Sequence, residues 1–429
     1  MKINIGNSAV FLNGQKTAKS IIYSAIILTA LPLTVSAQTK KLTLEECIDM
    51  ALNNGLAMKS GRIAVQRADD LKGTAFDPGQ TAVSLGQETG GGGPDNAITV
   101  SQDFEFPTVY VARHKALKAE ADLERSNLNM TRNESVRDVT SCYYETVYAG
   151  HIMRLCEVQD SILRQNLNAI NIKHSQGSAG RLEQINAEHT CRKSAIELKK
   201  AKDNYKAQLL SLQDILQSPV EVVPADNEFN AIPFDVMPTA VVDFSATPQG
   251  ELTRNQVTLS ERNLSVARQE FMPGLAVTAT TQLFIKGFNP YHVDRQPFKE
   301  GNFLGFEVGV TVPLFFGAQR ARTRAAKRDL ELARTAQVQA ETELKREYRN
   351  SLDRYATAKS SLDYYATTAL SRAEEIEKLS SEALSRGEID YNEHVANVEN
   401  AIEIRIEHAN AVNEYNQCVI QLKYLQGAI

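Results

Sequence analysis

Two stretches of this chain, from about Val109 to Ser175 and from Ala318 to Arg386, contain no proline, and a glycine interrupts only the first, at Gly150. Proline and glycine are the strongest helix breakers, so each stretch predicts one helix of roughly 67 residues, a rod of about 100 Å. That is several times the ordinary helix length. Tyr148, Leu155, Ile162 and Ala169 recur every seven residues beside Ala149, Cys156, Leu163 and Ile170; Tyr348, Tyr355, Leu362, Ala369, Ile376 and Ala383 do the same in the second stretch. A sustained period of seven predicts left-handed, coiled-coil-like packing. The many Ala, Tyr and Ser at these positions point to a broad packed wall rather than a two-stranded zipper. Gly177 and Gly387 end the rods, with Gly180 in the first turn, and returning helices of about Arg181 to Gln217 and Ile389 to Gln426 predict a helical hairpin in each half.

The whole chain repeats. Asp77-Pro78-Gly79 matches Met272-Pro273-Gly274 at an offset of 195, Phe106-Pro107 matches Val312-Pro313 at 206, and Ser175-Gln176-Gly177 matches Ser385-Arg386-Gly387 at 210, as does Tyr205 with Tyr415. Offsets that grow in order are those of two copies with loops of different length. Each copy reads helix, strand pair, long helix, break, returning helix. The first helix opens with Thr43 as N-cap and Glu46 three residues on, a capping box, and is expected to run to about Lys72. Pro107 and Pro313 mark the strand-to-helix junctions.

The strands are expected at Thr81 to Gln87, Ala97 to Phe106, Leu275 to Phe284 and Phe303 to Leu314. In the second, Ile98, Val100, Phe104 and Phe106 alternate with Thr99, Ser101, Asp103 and Glu105; in the fourth, Leu304, Phe306, Val308, Val310 and Val312 alternate with Gly305, Glu307, Gly309 and Thr311. Period two means one apolar and one polar face. The glycine run Gly90 to Gly93 is a turn, since no Lys-Ser/Thr and no helix follows it as a phosphate loop requires.

Composition narrows the classes. A mean hydropathy of −0.31, with no late run of about 18 apolar residues, excludes a bundle of transmembrane helices. Lys plus Arg is 47 against 52 acids and the bases are dispersed, so there is no footprint for nucleic acid. Lys2, Lys16 and Lys19, an apolar stretch from Ile21 to Val35 and the small residues Val35-Ser36-Ala37 predict a secretory signal over residues 1–37. Its removal takes three Lys and no acid, moving the net charge from −5 to −8. The odd, scattered Cys47, Cys142, Cys156, Cys191 and Cys418 are read as small buried hydrophobes rather than a disulfide framework. No C-x-x-C and no helical His pair is present, so no metal site or cofactor is expected, and the absence of a nucleophile motif or nucleotide loop argues against an enzyme.

Four amphipathic strands are too few to close a membrane barrel, which needs at least about eight, and open strand edges do not sit in lipid. A chain whose strands span a membrane must therefore oligomerise, and three copies would supply twelve strands. A four-stranded sheet packed on helices fits the alternation equally well.

The doubled order of elements resembles the TolC-type outer-membrane efflux proteins. So do the opening Leu42-Thr43-Leu44-Glu45-Glu46-Cys47-Ile48-Asp49-Met50-Ala51-Leu52, the junction Val310-Thr311-Val312-Pro313-Leu314-Phe315-Phe316-Gly317 and the tip Arg386-Gly387-Glu388-Ile389-Asp390-Tyr391. The resemblance covers nearly all of the chain after residue 37. It implies a mainly α homotrimer, a 12-stranded β-barrel in outer-membrane lipid continuous with a periplasmic α-helical barrel. It also implies a periplasmic adaptor and an inner-membrane pump of the resistance-nodulation-division type as partners. Residues 38–217 and 248–429 would be the two repeats, with 218–247 as linker and equatorial belt. The function implied is the exit duct of a tripartite efflux system; the alternatives are the duct of a type I protein secretion system and a periplasmic adaptor. Arg181, Glu183, Arg386, Glu388 and Asp390, at the hairpin tips, are the expected gate, since rings of like charge set ion selectivity and opposite charges latch helices.

Overall fold

The computed structural model describes residues 40–88, 95–226, 228–234, 241–283, 304–312 and 314–428. The expected signal segment, the glycine turn, Pro313 and much of the loop between the third and fourth strands lie outside the described residues.

Chain order is β1 (Lys40–Leu42), α1 (Leu44–Asn54), α2 (Leu56–Leu71), β2 (Ala82–Glu88), β3 (Asp95–Phe104), α3 (Pro107–Ser175), α4 (Arg181–Leu216), β4 (Val222–Pro224), α5 (Pro248–Gln269), β5 (Gly274–Leu283), β6 (Leu304–Thr311), α6 (Gly317–Tyr364), α7 (Leu370–Arg386) and α8 (Tyr391–Gln426). The first long helix is continuous over 69 residues. Pro107 stands in its first turn, where a missing N–H costs nothing.

The second rod differs from expectation. One turn of π-helix, Tyr365–Ala369, separates α6 from α7. A π turn accommodates one extra residue without ending the helix, so it leaves no proline or glycine by which the sequence would betray it. The opening helix also differs, for it breaks at Gly55 rather than running through to Lys72. The Gly55 amide bonds to Ala51 O at 2.8 Å, and a Cβ there would stand 2.4 Å from that oxygen, so the break requires glycine. The capping box forms as read: Thr43 N donates to Glu46 Oε2 at 2.9 Å and Glu46 N to Thr43 Oγ1 at 3.3 Å.

The heptads bury the rods. Ala149, Leu163, Ile170, Tyr348, Tyr355 and Ala369 are buried, and their heptad neighbours are half-buried. α3 packs on α4, α5 and α8, and α8 packs in turn on α6 and α7. Two buried apolar clusters lie along the hairpins, and Ala409 and Val412 of α8 join the first of them. Leu42, Cys47, Val139, Tyr143, Leu212 and Leu216 fill the first; Phe244, Leu344, Tyr348, Tyr355, Val419 and Leu422 fill the second. The α8 terminus, Gly427, abuts Pro248 at the start of α5, so α8 is continued by α5 along the flank of α3.

Residues 220–226 and 228–234 form a strap across these clusters. β4 pairs in parallel with β1, Val222 against Lys40 and Pro224 against Leu42. Fully buried Asn416 accepts from Ile232 N at 2.8 Å and donates to Asn230 O at 3.0 Å, while the Tyr415 and Tyr355 hydroxyls donate to Phe234 O. The cysteines are all unbridged; burial pushes the Cys47 and Cys142 thiols up to about 11, far from a reactive thiolate.

Candidate functional site

Two regions carry the functional questions: the sheet at one end of the rods and the hairpin tips at the other. The sheet is a single antiparallel one in the order β2, β3, β5, β6, so the two strand pairs join through β3 and β5. Its register sorts the side chains by face. Val83, Val100, Ala279 and Phe306 lie in one row across the four strands; Leu85, Ile98, Thr281 and Leu304 lie in the next, and Phe104, Leu275 and Val310 in a third on the same face. On the opposite face run Ser84, Thr99, Thr280 and Gly305, and then Ala82, Ser101, Thr278 and Glu307. Thr99 and Thr280 share a hydroxyl hydrogen bond at 3.3 Å.

Among the described residues no helix covers the apolar face. Phe306 and Val308 are each 74% exposed, and Val83 and Leu85 are 68% and 75% exposed. Leu314 and Phe315 extend the apolar surface beyond β6. The sheet packed on helices, left open by the alternation alone, is therefore not the arrangement found. β2 and β6 are edge strands whose outer backbone groups pair with no described strand.

At the tips, each long helix ends in the same way. Gly177 N bonds to His174 O and Ser178 N to Lys173 O; Gly387 N bonds to Leu384 O and Glu388 N to Ala383 O. These Schellman turns put Gly177 at φ +74° and Gly387 at φ +71°, the left-handed region that favours glycine. Gly180 differs: it is the N-cap of α4 at φ −74°, in open space, so its backbone makes no special demand for glycine. Asp390 is its counterpart in the second tip and caps α8 by accepting from Glu393 N at 2.8 Å.

The remaining tip residues lie close together but are not all paired with one another. Arg386 and Glu388 form an ion pair at 3.1 Å within one turn, and Arg181 donates to Gln184 Oε1 at 2.6 Å. Glu183 accepts from Asn392 Nδ2 at 2.6 Å, which ties the first hairpin to the second. Asn392 was not legible as a tip residue, since a single Asn on a helix start carries no pattern. Above this link a groove of about 250 Å³ is lined by Asn166, Glu183, Asn186, Asn392 and Glu399. Burial raises the Glu399 carboxyl. Each hairpin also has an internal polar link, Gln184 to Asn171 in the first and Ser380 to His394 in the second.

Among the described residues no group of three or more His, Cys, Asp or Glu is arranged to hold a metal ion, and no helix is long and apolar enough to cross a membrane. No family model and no curated protein sequence matches the chain. Solved structures do match. The Campylobacter jejuni CmeC outer membrane channel superposes with a TM-score of 0.74 at 16% identity, over 90% of this chain and 85% of that one. The open state of the Neisseria gonorrhoeae MtrE outer membrane channel gives 0.71 at 15% identity over 90% and 88%. The Vibrio cholerae outer membrane protein VceC gives 0.70 at 13% over 90% and 96%. The chain has the fold of an outer-membrane channel. Within that fold the exposed apolar rows of the sheet and the pair of long hairpins are the same two features that the amino-acid pattern singles out.

Proposed function

We propose that the chain is the outer-membrane exit duct of a tripartite efflux system, a homotrimer whose three sheets close into a 12-stranded barrel above a periplasmic α-helical barrel. The observation that carries this reading is a four-stranded sheet with an uncovered apolar face, a polar opposite face and two open edges. Such an apolar face is satisfied by lipid, and the open edges are satisfied only by strands of another copy. β2 and β6 run antiparallel to each other in a four-strand alternation, so β6 of one copy meets β2 of the next without a change of pattern.

In this reading residues 38–217 and 248–429 are tandem repeats and 218–247 is the equatorial belt. Pro107 and Pro313 mark the strand-to-helix junctions. A periplasmic adaptor docks on the helical barrel, and an inner-membrane pump, of the resistance-nodulation-division type, supplies the energy. The duct does no covalent chemistry; it offers small molecules or metal ions a water-filled path. The hairpin tips gate it. Arg181, Glu183, Arg386, Glu388 and Asp390, present three times, supply the charges that latch the helices and filter ions at the entrance.

Membrane fractionation with crosslinking tests the duct: an outer-membrane trimer is expected, and a lipid-free or inner-membrane species overturns the reading. For the gate, Glu388→Ala and Arg386→Ala are expected to raise open probability in planar bilayers. Unchanged closure and ion preference in both would remove these residues from it.

A further inference from the structure

The rows of the sheet's polar face are almost uniformly small: Ala82, Ser84, Ser101, Thr99, Ala276, Thr278, Thr280, Gly305 and Gly309. Glu307 is the exception in mid-strand. It stands opposite Thr278 on β5, between Gly305 and Gly309 along its own strand. A Cβ added at either glycine would meet nothing nearer than 3.7 Å, so the carboxylate rises from an open strip. It is exposed, and among the described residues no side chain pairs with it. None of the four strands contains a Lys or Arg, whereas Asp103, on the same face nearer the rods, adds a second exposed acid.

An ionised group halfway along a strand whose other face meets lipid is costly unless it faces water, and such groups mark ion and substrate paths. In a barrel, substitutions on the lumen face tune selectivity. Resting on the duct reading above, we propose that Glu307 is a specificity-determining residue. With Asp103 it gives the strand portion of the duct a purely acidic lining, which favours cationic over anionic cargo independently of the hairpin tips. Threefold repetition sets three Glu307 carboxylates around one lumen. Small neighbours leave them unscreened by protein, so they act on passing ions through the water between.

The test is the cation-to-anion permeability ratio of the full chain in planar bilayers, read from the reversal potential in a salt gradient. Wild type is expected to favour cations. Glu307→Gln should lower the ratio by about two-fold or more, and Glu307→Lys should bring it to unity or invert it, as expected for a charged ring in a pore. Thr278→Lys, which sets a cation across the strand pair from an intact Glu307, should act in the same direction and serves if a Glu307 variant fails to assemble. The differences should shrink as salt rises from about 0.1 M to about 1 M, because the Debye length falls from about 10 Å to about 3 Å. Conducting variants with the wild-type ratio at low salt would overturn the proposal. If the wild type stays shut, the same ratios are read in the Arg386→Ala, Glu388→Ala background; no current there either would remove the duct reading itself, and the proposal with it.

Discussion

The two halves of the chain use the same elements in the same order, and they differ at few places. The first long helix is unbroken from Pro107 to Ser175, whereas the second passes through a π turn at Tyr365–Ala369. The first half opens with a helix broken at Gly55; the second opens with the single helix α5. The strap between the halves is tied to both: β4 pairs with β1 and Asp226 accepts from Tyr143 on the first side, while Tyr355, Tyr415 and Asn416 bind its end on the second. The wall-building features, heptad seams and Schellman tips, are common to both. What the two halves share is what packing demands; what differs lies at ends, junctions and one helix turn, where neighbouring contacts leave room.

The sharpest way to break this comparison is in the second half's opening cap. Thr247 caps α5 by accepting from Gly250 N, and a Cβ at Gly250 would stand 1.8 Å from Phe244 O, a backbone atom. Gly250→Ala should cost about 3 kcal/mol or more, in the range of severe overpacking, read as a lower urea midpoint of the solubilised protein. Next is the strap. Asn416→Ala leaves Ile232 N and Asn230 O without their partner, and about 2–3 kcal/mol is expected from two orphaned backbone groups. Proteolysis of residues 220–234 should accelerate in the same variant. A loss no greater than for an exposed Asn would mean that the strap is held by its apolar contacts alone.

The π turn sharpens the comparison dynamically. Amides of Tyr365 to Leu370 should exchange about tenfold faster than those of Glu157 to Ser161, their counterparts in the unbroken rod, because local opening is easier where helix hydrogen bonding is irregular. Equal protection would make the two rods equivalent. At the tips the halves should behave alike: Gly177→Ala and Gly387→Ala each place a Cβ at positive φ and should cost about 1 kcal/mol. The smallest effect has the opposite sign. Gln217 ends α4 at φ +49° where α8 ends in Gly427 at φ +68°, so Gln217→Gly should raise stability by about 0.5 kcal/mol.

Much of this architecture is legible in the residues because it rests on periodicity. Seven-residue spacing marks the seams, alternation marks Ile98 to Phe104 and Leu304 to Val310, and Thr43 with Glu46 marks a helix start. Asn416 and Asn392 carry no such signal, since their partners are backbone and side-chain groups roughly two hundred residues away. Glu307 was visible as one polar member of an alternating strand. Its isolation depends on glycines beside it and on Thr278 opposite, which only the strand register brings together.

The sequence by itself determined the local and periodic parts of this protein: two rods each turned back at a glycine, and strands with two unlike faces. Those follow from backbone preference and hydrophobic period, which act over a few residues. The tertiary structure alone decided that the two strand pairs form one sheet, that no described helix covers its apolar face, and that the strap is shared between β1 of the first half and the second hairpin. Each of these is a pairing between segments distant in the chain, and such pairings are chosen by which surfaces find mutual burial or a hydrogen-bond partner rather than by the composition of either segment.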